Sequence, residues 1–132
     1  MPITITFSSL LHLNFRESNM PLRIPLRVVF YRDEDGDWIA HCLEFDLCGH
    51  GDSHESALDM LADAISIQVV ESIEANNPDN LFNPADKLFF TMFAAGSDCV
   101  AGQIEIHAEK VEFPNVSARE FAGDKGNLLE FA

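Results

Sequence analysis

Basic residues are scarce in this chain. Lys and Arg number 8 against 22 Asp and Glu, a formal net charge of −14 at pH 7. Nucleic-acid affinity rests largely on Lys and Arg displacing counterions from phosphate, so direct nucleic-acid binding is not expected. The charge suits a soluble protein, or one that meets a basic partner. Cysteine is scarce too, with three at Cys42, Cys48 and Cys99. An odd, irregularly spaced set argues against a disulfide framework. No apolar run approaches the ~20 residues that span a bilayer. No basic segment followed by a long apolar run opens the chain, so neither export nor membrane insertion is indicated and a cytoplasmic place is expected. Repeats, low-complexity runs and dividing linkers are also missing. With 132 residues and 47% apolar content, residues 1–132 form one domain with a real core.

What is present centres on residues 30–70, which read strand, Asp-rich turn, strand, Gly-rich turn, long helix. The first turn is Asp33-Glu34-Asp35-Gly36-Asp37. Gly36 takes positive φ at low cost, and the flanking Asp residues favour tight turns. Residues 26–32 and 38–43 flank it as a hairpin, and residues 47–53 form a third extended run closing on a turn. Ser53 is an N-cap and Glu55 suits the first turn of a helix over residues 53–75. Leu58, Leu61, Ile65, Val69 and Ile73 recur at helical spacing and form one apolar stripe. Burying them contributes on the order of 8–15 kcal/mol before entropy is subtracted. A sheet is the simplest destination for that stripe. Met60, Ile67 and Val70 lie off it and imply a second covering element or a subunit contact.

Residues 76–80 break this helix. A second helix is predicted over 84–95, with Asn83 as N-cap, Pro84 at the first position and Gly96 as the stop. Leu88, Phe89, Phe90, Met92 and Phe93 make it apolar on most sides, so it is buried in this chain or against another copy. These five residues, with Ile67 and Val70, are the candidate oligomer or partner interface. Residues 102–113 read as a strand whose alternation changes phase at Glu109-Lys110, as a bulge would produce. A short helical turn is placed near residues 117–121 of the tail, 114–132. Residues 1–19 alternate, with Ile3, Ile5 and Phe7 and then Leu11, Leu13 and Phe15. They are either strand at a sheet edge, the favoured reading, or a start-site extension ahead of Met20.

Three constellations could carry chemistry. Asp33, Asp35, Asp37 and Glu44 share the spacing of a calcium-binding loop, but Trp38 stands where its sharp turn requires Gly, and strands replace the flanking helices. His41, Cys42, Cys48, His50 and His54 are ligand types for zinc, although adjacent His41 and Cys42 point to opposite faces of a strand and the spacing matches no zinc pattern. Asp33, Asp35, Asp46 and Asp52 could be carboxylates holding Mg²⁺. A metal-dependent hydrolase or nuclease is therefore the alternative to a binding role, and no metal or cofactor is expected on these spacings.

Tyr31-Arg32-Asp33-Glu34-Asp35-Gly36-Asp37-Trp38-Ile39-Ala40, then Leu43-Glu44, then Gly49-His50-Gly51-Asp52-Ser53-His54-Glu55-Ser56-Ala57-Leu58 resemble the HicB antitoxin family. The likeness covers residues 26–75 and places a HicB-like core at about 21–113. It implies an α+β fold: an antiparallel sheet of three or more strands with one long helix across it, similar to a partial ribonuclease H fold, and a later strand. It implies no catalytic residues. Such domains mask a small basic ribonuclease, HicA, and tend to self-associate. The resemblance departs at residues 115–132, whose only basic residues are Arg119 and Lys125. Operator binding by a C-terminal DNA-binding module is therefore not expected. The aromatic second helix is also outside the family's minimal pattern. The chain reads as a solitary HicB-like domain.

Overall fold

Strand β2, Leu26–Arg32, is the spine of the fold, and its neighbours follow from its composition. Its seven residues do not alternate between polar and apolar, because five are buried: Leu26, Val28, Val29, Phe30 and Tyr31. A strand apolar on both faces belongs in the interior of a sheet covered on both sides. The computed structural model, which describes residues 22–99, 104 and 111–123, places it so. β2 runs antiparallel to β3 (Trp38–Cys42), which runs antiparallel to β4 (Leu47–Gly51). On its other side β2 pairs with β7 (Val116–Glu120), and β7 pairs with β5 (Ser97–Asp98). The order is β4-β3-β2-β7-β5. A separate two-stranded parallel pair joins β1 (Leu22–Arg23) to β6 (Val111–Glu112).

The β2–β3 turn is built by Asp33. Its Oδ1 accepts from the backbone N–H of Asp35 and of Asp37, both at 2.9 Å, and Gly36 has φ +86°. That conformation sets the register in which Phe30 faces Ala40 and Tyr31 faces Ile39. Helix α1 spans His54–Glu74, capped at Ser53. The Ser56 N–H donates to Ser53 Oγ at 3.1 Å, and the Ser53 N–H donates to Ser56 Oγ at 3.1 Å. This is a capping box with Ser in the place usually held by Glu or Gln. Leu58, Leu61, Ile65 and Val69 are buried against the sheet face that carries Val28, Phe30, Ala40 and Cys42; Ile73 is half-buried at the edge. The helix lies closest to β4. A Cβ on Gly49 would come within 2.9 Å of Leu61 Cα and closer still to Ala57 O and Leu61 N. The glycines of β4 thus serve close approach of a helix, and the strand runs through Gly51 before the chain bends at 52–53.

Helix α2 spans Lys87–Ala95 and covers the opposite face, over Val29, Tyr31, Ile39 and Leu43. It starts at the Asp86 cap, not at Pro84. The Ala85 N–H donates to Leu43 O at 2.9 Å and Ala85 is buried, so this stretch is spent on an extended tether to the loop after β3.

Two further expectations are corrected. The tail near residues 117–121 is strand, not helix: β7 finds its hydrogen bonds on β2. The sheet is mixed, because β7 runs parallel to β2 while the other pairs in it are antiparallel. The α+β class with one long and one short helix stands. The strand expected over residues 1–19 lies outside the described residues. So does most of the strand expected over 102–113, with its phase change; only Ile104 and the β6 end of it are described.

Candidate functional site

His41 and Ser72 are the buried polar side chains among the described residues, and His41 is the ionisable one. It is 3% exposed and sits on the α2 face of the sheet, where hairpin register brings Tyr31 and His41 to one side. The Tyr31 hydroxyl lies 3.0 Å from His41 Nδ1, and His41 Nε2 lies 2.7 Å from Asp46 Oδ1. A carboxylate only accepts, so Nε2–H donates to Asp46, which in the neutral ring leaves Nδ1 to accept from the Tyr31 O–H. Asp46 reaches this position from the β3–β4 turn through a left-handed backbone, φ +54°. Phe89 of α2 closes the group, with its ring 4.1 Å from His41 and 5.9 Å from Tyr31 between centroids. Burial, followed by the neighbouring Cys48 and Asp46, pushes the Tyr31 phenol above its usual range, so it remains a proton donor.

Both imidazole nitrogens are thus engaged and the ring is covered. What the arrangement does chemically is to satisfy three polar groups across two strands and a turn. Replacing Tyr31 with Phe leaves His41 Nδ1 buried without that donor. A loss of about 1–3 kcal/mol is expected, read as a lower urea midpoint with unchanged slope. Stability within a few tenths of wild type would mean that the hydrogen bond contributes nothing. The sequence held a signal for this group: a tight turn at 33–37 puts 29, 31, 39 and 41 on one face. Asp46 had none, because its reach depends on positive φ at a non-glycine residue.

The residues singled out for metal chemistry are dispersed. Asp33 is occupied in its turn, whereas Glu44, at the opposite end of β3, accepts from Arg27 N at 2.7 Å and Arg27 Nε at 2.8 Å. Asp52 accepts from Ser56 Oγ at 3.1 Å at the start of α1, far along the sheet from Asp46. Cys42 is buried on the α1 face, while Cys48 faces His41 in the next strand on the other. His50 is exposed beside Ile39. His54 stacks on Phe30 with centroids 4.3 Å apart, edge-on to Trp38, and its Nε2 lies 2.9 Å from Glu120 Oε1, out of line for a good hydrogen bond. Among the described residues no three His, Cys, Asp or Glu converge as a metal cradle. A cavity of about 260 Å³ at the hairpin end is lined by Tyr31, Arg32, Trp38, Phe121, Ala122 and Gly123. Its Arg32 is spent on the Trp38 ring, 4.2 Å away, and on Gly36 O.

The candidate interface residues divide between two layers. Met92 is buried under α2, and Leu88, Phe89, Phe90 and Phe93 are half-buried there. Arg27 lies 4.8 Å over Phe90, and Arg119 lies 5.5 Å over Phe93. Arg119 also donates to the Phe93 and Ala94 carbonyls, closing the α2 C-terminus. Ile67 and Val70 stand on the outside of α1, on the far side of the sheet, with 61% and 44% of their surface exposed. No helix among the described residues is long and apolar enough to cross a membrane. Compared with protein-family models, curated proteins and solved structures, the chain has no match.

Proposed function

We propose that the chain is a non-enzymatic, HicB-like protein-interaction domain, which self-associates and binds a small basic ribonuclease of the HicA type. The observation that carries this reading is the order hairpin, third antiparallel strand, capped helix across the sheet, observed as β2, β3, β4 and α1. That is the order implied by the resemblance of residues 26–75, and the partial ribonuclease H-like arrangement belongs to the same reading. The −14 charge suits a basic partner through long-range attraction. The half-buried aromatic side of α2 suits a second copy. A binding role also agrees with the polar group at His41, whose nitrogens are taken up internally.

The test is to co-express the chain with any small basic ribonuclease encoded beside its gene. The expected result is a co-purifying complex in which RNA cleavage is suppressed, together with sedimentation of the free chain above monomer mass. Cleavage that continues undiminished in excess chain would overturn the antitoxin-like part. Monomeric sedimentation at all concentrations would overturn self-association.

A further inference from the structure

We propose that the outward face of α1 is the docking site for a basic amphipathic helix of a protein partner, a surface assignment that rests on the binding role above. Met60, Ile67 and Val70 are the exposed large hydrophobic residues among those described, at 52%, 61% and 44%. They sit at spacings of seven and three along one helix, so they form a ridge opposite the buried stripe. Ridge positions of this spacing are how a groove-and-helix partner is anchored.

The charges beside the ridge define the partner. α1 carries Glu55, Asp59, Asp63, Glu71 and Glu74, and neither Lys nor Arg. Glu55, Asp59 and Asp63 follow at intervals of four, a like-charge row that destabilises an isolated helix. Glu55, Asp59, Asp63 and Glu71 have no ion-pair partner among the described residues. An apolar ridge rimmed by one sign of charge complements a helix whose leucine-type stripe is rimmed by Lys or Arg. A second copy would set carboxylates against carboxylates, and an anionic lipid surface would do the same. An added strand is disfavoured as well, because Met60 Sδ already takes the N–H of His50 on the β4 edge, at 3.4 Å.

The experiment uses the full chain and two synthetic peptides of identical Lys and Leu content. One places Leu at helical spacing; the other has the same residues scrambled. Calorimetric titration is expected to show the ordered peptide binding at least about tenfold tighter, with affinity falling as salt rises. Ile67→Lys, at a position 61% exposed and with folding checked by circular dichroism, is expected to lose about that tenfold advantage. Equal binding of both peptides would mean charge attraction alone and would overturn the proposal. So would unchanged affinity in Ile67→Lys, or a concentration-dependent dimer that this variant abolishes. A ribonuclease that binds wild type and Ile67→Lys equally leaves the antitoxin-like reading standing and removes this surface. Selective binding of the ordered peptide by a chain that ignores the ribonuclease does the reverse.

Discussion

Gly49→Ala is expected to destabilise the protein by at least about 3 kcal/mol, and in the extreme to prevent folding. The added methyl group meets backbone atoms of two residues of α1, Ala57 and Leu61. Backbone cannot rotate aside as a side chain can, so the whole helix must lift from β4. Lifting it uncovers Leu58, Leu61 and Ile65 together, each of which contributes about 1.5–3 kcal/mol when fully buried. Gly36→Ala supplies the contrast. Nothing lies within 4 Å of a Cβ there, and only the φ of +86° opposes it, at about 1–2 kcal/mol. Urea unfolding followed by the fluorescence of Trp38, the single tryptophan, measures both. A Gly49→Ala midpoint equal to or above that of Gly36→Ala would show that the helix is not seated as closely as described.

That comparison marks where the sequence was readable. Helix α1 was legible almost to the residue, because its cap, first-turn acid and apolar stripe agree and local propensity and burial point the same way. The β2–β3 hairpin was legible for a similar reason: Asp33 and Gly36 are turn chemistry that acts within five residues. Residues 47–53 were legible as an extended run closing on a turn, but the role of Gly49 was not, since a glycine chosen for close approach looks the same in sequence as one chosen for positive φ. β7 was not legible. Of its five residues only Ala118 is buried, while Arg119 is engaged with Asp98 and α2 and Glu120 with His54. Its strand character comes from pairing with β2, a contact some 90 residues away in the chain. The start of α2 slipped by three residues because Ala85 donates to a loop carbonyl that no local rule could anticipate. Of the candidate sites, the exposed α1 ridge was visible as residues off the stripe. The Tyr31–His41–Asp46 chain required register and a strained turn to be seen.

Raising the pH above about 9 is expected to destabilise the protein, in a range where its carboxylates are already ionised and its arginines are still charged. The Cys42 thiol is fully buried, and burial, with Glu44 next, pushes it from an ordinary 9.0 up to about 12. Burial pushes the Tyr31 phenol up from its ordinary 10.0 as well. Both groups are neutral when protonated, so the fold favours the protonated forms. Below pH 9 both groups are protonated in either state and their contribution to stability is fully present. Above it the unfolded chain releases protons that the folded chain retains, and stability falls. One such group costs about 1.4 kcal/mol per pH unit, so the Cys42 share is lost between pH 9 and about 12. Tyr31 begins its share one unit later, from its ordinary 10.0 upward. Cys99, which burial also shifts upward, acts in the same direction. Tyr31 is the single tyrosine of the chain, which gives the prediction a spectroscopic readout. Tyrosinate absorbance is expected to rise together with the loss of folded Trp38 fluorescence and not ahead of it. In Cys42→Ala the decline of the urea midpoint with pH is expected to be shallower by one group's worth, whatever that substitution does to stability at neutral pH. An equal slope in wild type and variant, or tyrosinate appearing while the fold persists, would place these groups in contact with water and contradict the packing of both sheet faces.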